Sequence, residues 1–335
     1  MRSRTDAVAG LFWAVVATAL WGATFLGPAA VEPVGPAYLV FGRYLFFGLL
    51  SLVVLIVHRR RAVEIGMRKA LLALHLGIVG YVGFYLFFSF SAAIGGGALA
   101  SIITGVMPAV VTIASNLITK QVRWRRLAAP IAITAVGLLV INLRTPAALS
   151  DITTSDLITT TALALVACAL WSYFVVANGI VLRRTDRPAI DNTTWTALIG
   201  VGALIGSLGL LPIAWTMDAT SPIGDESTLV RFLIVSVLLA TLGSWCASWS
   251  WNRATGRIST LLLGQLMALE TLFGALFNLL WESRWPTLQE IIGAALVTTG
   301  VIVCARTLER HRAKRAGAVE LSSSDAPLQE PASPS

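Results

Sequence analysis

Ala167-Cys168-Ala169-Leu170-Trp171-Ser172-Tyr173-Phe174 nearly restates Ala17-Thr18-Ala19-Leu20-Trp21-Gly22-Ala23-Thr24-Phe25. A shift of 161 residues also lays Gly95 on Gly256, Arg123 on Arg284 and Trp124 on Trp285, and Gly137 meets Gly300 after a further two-residue gap. Matches spread over both halves point to an internal duplication. Where such halves are membrane-embedded, a transport site between them is the expected consequence.

The membrane follows from composition. Hydrophobic residues make up 56% of the 335-residue chain and charged residues 13%, against roughly 45–50% and 25% in a soluble domain. A span needs about 20 apolar residues, and hydropathy places spans at 8–29, 37–57, 70–94, 98–119 and 127–143, then at 157–182, 193–215, 229–251, 258–281 and 288–305. The expected fold is all-α and integral to the membrane: ten transmembrane helices in two five-helix repeats around a central cavity. Arg2 and Arg4 before an apolar run also fit a signal peptide, but that run is too long for an h-region and its Trp21 motif recurs.

The net charge of +8 sets topology rather than nucleic-acid binding. Twenty-one of the 25 basic residues fall in alternate loops and the tail: Arg2 and Arg4, the Arg59–Lys69 loop, the Lys120–Arg126 loop, Arg183, Arg184 and Arg187, Arg253 and Arg257, and the run from Arg306 to Arg315. Only Arg144, Arg231 and Arg284 lie on the other side, beside Glu32, Asp151, Asp156, Asp218, Asp225, Glu226 and Glu282. The positive-inside rule then puts both termini in the cytoplasm. Five helices per half is odd, so the second repeat enters from the opposite side and the repeats are inverted. The expected division is repeat 1 over 1–143, an outer connector over 144–156, repeat 2 over 157–305, and a tail over 306–335 that is basic and then, after Ala316, disordered.

Four ionisable side chains within the spans deserve weighing: Arg43, His75, Arg231 and Glu270. Glu270 lies about twelve residues from either end of its helix, hence ~18 Å along the axis, near the midplane. A charge there costs at least ~2.5 kcal/mol, so it faces protein or a water-filled cavity. It either meets a cationic group of a substrate, exchanges a proton, or holds a structural ion pair. Arg43, six residues into the second span, either receives a carboxylate through its planar fork, pairs with a group such as Glu270, or snorkels. Arg231 reads as an interfacial anchor and His75 as a hydrogen-bonded packing residue.

Aromatic residues crowd Tyr81-Val-Gly-Phe-Tyr85-Leu-Phe-Phe88 and Trp245-Cys-Ala-Ser-Trp249-Ser-Trp251, which the 161 shift superimposes. Helical spacing puts Tyr81, Tyr85 and Phe88 on one face and Trp245 and Trp249 on another. Facing each other, they enclose an amphipathic cavity; facing lipid, they are ordinary packing. Trp195, Trp215, Trp251, Trp281 and Trp285 sit at the expected helix ends, as interfacial anchors do. Pro108 interrupts the fourth span, with Thr104, Thr112 and Asn116 as neighbours able to satisfy freed backbone groups. The Gly202-x-x-x-Gly206 pair reads as close helix packing. Cys168, Cys246 and Cys304 lie in apolar segments without metal-ligand spacing. With no Gly-x-x-x-x-Gly-Lys-Ser/Thr loop and no His-Glu-x-x-His, no cofactor or metal is expected.

These elements resemble the drug/metabolite transporter superfamily in its ten-helix EamA-type branch. The Ala-Leu-Trp-Gly/Ser start of each half, Arg43-Tyr44, the small-residue turn leading to Met107-Pro108, and Gly137 and Gly300 carry the resemblance, over residues 8 to 305. Tyr81, Pro108 and Trp171 look most like the YddG-type aromatic amino-acid exporters, from which Met107 and Glu270 depart. The resemblance implies a secondary transporter working by alternating access in a bacterial inner membrane. Its small-molecule substrate, such as an aromatic or hydrophobic amino acid, would sit among Tyr81, Trp171, Trp21, Tyr85, Met107 and Trp249, with Glu270 or Arg43 on its charged ends. The competing expectation is an intramembrane enzyme acting on a lipid with Glu270 as acid or base. The oligomeric state is left open, a monomer included.

Overall fold

The computed structural model describes residues 4–142, 152–183, 190–217 and 224–324. Arg2, Arg144, Asp151, Arg184, Arg187, Asp218, most of the expected connector 144–156 and the tail beyond Ser324 lie outside the described residues. Among those described there is no strand. Nine helices are long and apolar enough to cross a membrane: α1 Thr5–Val31, α2 Ala37–Val57, α3 Met67–Gly95, α5 Trp124–Ile141, α6 Thr154–Arg183, α7 Asn192–Pro212, α8 Glu226–Thr255, α9 Thr260–Trp281, and α10, whose span Leu288–His311 continues helically to Ser324. The tenth, α4 (98–119), is in two pieces, the second being Met107–Thr119. Helical hydrogen bonding is the only way such apolar segments satisfy their backbone without water.

Between α3 and α4 the chain folds back at its glycine triple, although Phe84–Thr104 carries helical hydrogen bonds throughout. Phe84 lies against Trp171 and Ser91 bonds the Thr160 carbonyl, whereas further on Ile103 returns to Cys168. Gly95 itself permits the approach, since a Cβ there would overlap Thr160.

Contacts between helices repeat with a shift of five. α1 packs on α8 and α9, as α6 packs on α3 and α4, while α2 pairs with α7, α4 with α9 and α5 with α10. That is the pattern of two duplicated units about a pseudo-two-fold axis. The irregularities repeat as well. A π-helical stretch occupies Ile78–Gly83 in α3 and Leu239–Cys246 in α8, and a helix restarts at Met107 in α4 and at Ala268 in α9. Each pair is 161 residues apart. π turns and restarted helices leave backbone groups without their regular partners, and a duplicated chain would not keep both in both copies by accident of packing.

Close backbone approach holds α3 against α7. A Cβ on Gly202 would strike the Leu74 backbone and one on Gly77 the Ile199 carbonyl, so Gly202 and Gly206 pack as their spacing predicts.

Inside the bundle the polar groups are paired across helices. Gln265 accepts from Thr134 at 2.8 Å and donates to Thr112 at 3.0 Å, and Thr112 in turn donates to the Pro108 carbonyl at 2.7 Å. Near the basic end Trp195 donates to Asn178, Asn178 to Asn252, and Asn252 to Thr196. This network corrects one expectation: Trp195 and Trp251 are buried at 0% and 1% exposure rather than anchored at an interface. The helices carrying them continue beyond, so both rings face neighbouring helices. Trp285, at 91%, Trp215 and Trp281 are exposed as interfacial residues are. His75 is exposed, edge-on to Tyr173, and not hydrogen-bonded.

The tail departs from expectation too, because α10 runs past Ala316 to Ser324. Residues 306–321 are rich in Arg, Lys, Glu, Leu and Ala, all good helix formers, and the first proline comes only at Pro327.

At the basic end Asp191 caps α7, accepting from the Thr194 amide at 2.9 Å and hydroxyl at 2.7 Å, and meets Arg61 at 3.1 Å. Partial burial works against its charge, but the bonds from Thr194 and the nearby Arg61 outweigh it and hold the carboxyl below its ordinary 3.8. A depressed carboxyl stabilises above its unfolded value and loses that contribution as the pH falls through its folded one, here below pH 3.8. Asp191→Ala is expected to cost about 1 kcal/mol through the lost cap. Asp191→Asn, which keeps a capping oxygen and loses only a largely exposed ion pair, should cost less. Thermal unfolding at pH 7 checks the order of the two.

Candidate functional site

Tyr81, in the π-helical stretch of α3, sits at the centre of an aromatic cluster drawn from five helices. Its ring lies 6.0 Å from Tyr44 and 5.7 Å from Phe47 on α2, and 5.8 Å from Trp171 and 5.3 Å from Phe174 on α6. Trp171 extends the cluster to Trp21 on α1 at 5.7 Å, and Trp21 to Trp251 on α8 at 5.2 Å. Edge-to-face pairs of this kind add about 0.5–1.5 kcal/mol each beyond area burial. The Tyr81 hydroxyl is hydrogen-bonded to Ser248 of α8. Tyr81→Phe is therefore expected to lower stability by about 1 kcal/mol, and Ser248→Ala by a similar amount with no further loss in the double variant. Additive losses in the melting of the three proteins would show that the bond carries none of the effect.

Two indole N–H groups in this cluster, on Trp171 and Trp251, are buried without a hydrogen-bond partner among the described residues. An unsatisfied buried donor costs about 1–3 kcal/mol. A ligand oxygen entering the cluster would relieve that cost.

Arg43 projects from α2 onto the π-helical stretch of α8. Its Nε donates to the Ser244 hydroxyl at 2.8 Å and one Nη to the Gly243 carbonyl at 2.9 Å. Arg43 thus bonds the backbone of α8 within its π-helical stretch. These bonds use one fork of the guanidinium and leave its opposite edge available. Ser244 and Ser248 are one helical turn apart, so α8 holds Arg43 and Tyr81 side by side.

Glu270 stands in the first turn of Ala268–Trp281, just after the break in α9. The helix N-terminus there favours a negative charge. α1 crosses at this level: a Cβ on Gly22 would lie 2.9 Å from the Glu270 carbonyl and 2.7 Å from the Gly274 amide. Among the described residues nothing hydrogen-bonds the Glu270 carboxylate, and Arg43 is the charged group whose field reaches it. The two charges are nonetheless not in ion-pair contact. Opposite charges within each other's field but not in contact, both partly buried in the bundle, leave room for a ligand that carries both.

The remaining expected residues divide. Met107 is buried at the restart of α4, within the core that contains Tyr81 and Trp171. Tyr85 is partly buried and packs on Phe88 at 6.0 Å. Trp249 is not with them. Its indole N–H donates to Thr193 of α7, and its ring lies 5.2 Å from Trp13, so it belongs to the basic end, while Trp245, 6.3 Å from Phe47, turns toward the cluster. Tyr44, Phe47, Phe174 and Trp251 join the site without having been expected there. The stripe Ser244, Ser248, Asn252 and Thr255, spaced three or four residues apart, is the sequence signal that marks the buried face of α8 and, beside it, Trp251. No group of three His, Cys, Asp or Glu among the described residues could hold a metal ion.

Comparison with known proteins bears on the family. The EamA-like transporter family matches residues 8–143 and again 159–306. The inner membrane protein YtfF of Escherichia coli (strain K12) is 30% identical over 311 residues, covering 89% of this chain and 95% of its own. A Haemophilus influenzae protein described as an uncharacterized transporter is 33% identical over 97 residues, 29% of this chain and 55% of its own. A solved crystal structure superposes with a TM-score of 0.70 at 17% identity, over 92% of this chain and 99% of that one, a likeness in fold alone. With the family matched twice along the chain and a relative aligned over nearly its whole length, the chain belongs to the EamA-like transporter family.

Proposed function

We propose that this protein exports small zwitterionic metabolites with an aromatic or apolar side chain, amino acids foremost, across a bacterial inner membrane by alternating access. The observation that carries the reading is the pair Arg43 and Glu270, near each other and unpaired, beside the ring cluster around Tyr81. A substrate carboxylate takes the free edge of Arg43, its ammonium meets Glu270, and its side chain lies on Tyr81, Trp171 and Trp21, where the free indole N–H groups offer further bonds. Both termini are cytoplasmic, which puts the Arg59–Lys69 and Lys120–Arg126 loops inside by the positive-inside rule. Repeat 1 (1–143) rocks against repeat 2 (157–305), so that the site opens to one side at a time.

Liposomes containing the purified chain and loaded with phenylalanine, phenethylamine and 3-phenylpropionate test this. Efflux of unmodified phenylalanine, well ahead of the two analogues that each lack one charge, supports the reading. Equal efflux of all three removes the zwitterion requirement, and a product of changed mass would indicate an enzyme instead.

A further inference from the structure

Away from the central cluster, Arg253 near the basic end of α8 lies against two indoles. Its guanidinium carbon lies 4.6 Å from the Trp249 ring and 5.1 Å from the Trp13 ring, and those rings meet edge to face at 5.2 Å. A cation stacked on aromatic faces is attracted to them, more strongly as water is excluded. A ring contact of this kind uses none of the guanidinium's N–H donors in a hydrogen bond to oxygen. Nothing among the described residues bonds those donors. Arg253 has no ion pair or hydrogen bond from its guanidinium, and its Nε is buried without a partner.

Two neighbours add to the site. Arg257 donates to the Arg253 carbonyl at 2.9 Å and brings a second positive charge. Asn192 donates to the Trp249 carbonyl at 3.0 Å, while its own buried side-chain oxygen has no partner. An arginine without a counter-ion among the described residues and an unused acceptor thus both adjoin Trp249.

We propose that the Trp13–Arg253–Trp249 cluster is a second binding site, at the basic mouth of the bundle, that receives the carboxylate of a small solute before the solute reaches Arg43. The proposal rests on the transporter reading for its place in a pathway. A carboxylate takes the Arg253 fork end-on, with Arg257 adding to the field and Asn192 accepting from any donor on the solute. A phospholipid headgroup offers similar anionic chemistry, but the side of α1 argues against it. Phe12 points outward at 57% exposure, whereas Trp13, next to it, packs against the core cluster that contains Trp21 and Tyr81.

The test is binding of phenylacetate to the full chain purified in uncharged detergent, followed by indole fluorescence, with benzylamine as the cationic control. Phenylacetate is expected to saturate the signal, and benzylamine to leave it unchanged. Arg253→Gln should raise the half-saturating phenylacetate concentration about tenfold or more, the loss of one charge-assisted fork. Arg253→Lys keeps the charge against the rings but not the fork, so it should weaken binding by several-fold and carries the test should the glutamine variant not fold. Wild-type titration curves in the folded variants would overturn the proposal. So would displacement of phenylacetate by phosphatidylglycerol at far lower concentration, which would assign the site to lipid. Because the readout is binding rather than movement, this site can fail while efflux succeeds, and the reverse.

Discussion

Leucine in place of Arg43 is expected to destabilise the folded protein by about 2–5 kcal/mol, in the range of breaking a buried charged contact. Two effects oppose each other. Leucine relieves the cost of holding a cation in the bundle and gains roughly 1.5–3 kcal/mol of apolar burial. Against that, the Gly243 carbonyl and the Ser244 hydroxyl lose the bonds that Arg43 donates to them, and the field that Arg43 exerts on Glu270 disappears. The second effect is larger because groups bonded to a charge are costly to leave without that partner. Arg43→Lys should fall between, since an ammonium cannot span both acceptors as the planar fork does. The measurement is thermal unfolding joined to amide exchange across 239–246, which should accelerate in the leucine variant and spare α5 and α10. Unchanged exchange in that stretch would mean that the α8 turn holds itself and that Arg43 serves the ligand alone.

Much of this arrangement is legible in the sequence for one physical reason: a bilayer makes every polar side chain within a span expensive. Glu270 and Arg43 stand out for that reason alone, and the structure brings them within each other's field. Tyr81 and Trp171 were visible through density and repetition. The π-helical stretches were not, because Ile78–Gly83 and Leu239–Cys246 contain nothing that forbids an ordinary helix, and their register loss comes from tertiary packing. The break in α9 was equally hidden. Pro108 marks the one in α4, but Leu269, at the matching place, is an ordinary helix former. Trp251 and Trp195 were misplaced because a hydropathy window ends where polar residues begin. Asn252 and Asn178 are polar and yet buried, paired with each other, so the helices carry on and the rings face inward. The duplication explains why those errors stayed local, since each irregular turn in one repeat has its counterpart 161 residues away.

Glutamine in place of Glu270 is expected to raise the half-saturating concentration of phenylalanine about 10- to 100-fold, the size of one lost charge-assisted contact of 1.5–3 kcal/mol. Glutamine is nearly isosteric, so the close crossing of α1 at Gly22 and Gly274 is undisturbed and the variant should fold. The carboxylate has no hydrogen-bond partner among the described residues, so no internal bond is lost with it. A purely structural Glu270, existing to balance Arg43, predicts something different: lower stability in Glu270→Gln, recovered when Arg43→Gln is added, because removing both charges spares the bundle an uncompensated one. The ligand reading predicts no recovery of transport in that double variant. 3-Phenylpropionate separates the two further, since it lacks the ammonium that Glu270 would meet. If the substitution weakens handling of phenylalanine and leaves 3-phenylpropionate untouched, the carboxylate reads the ammonium. If both solutes suffer alike, Glu270 acts through Arg43, and the positive end of the substrate must be sought elsewhere in the cavity.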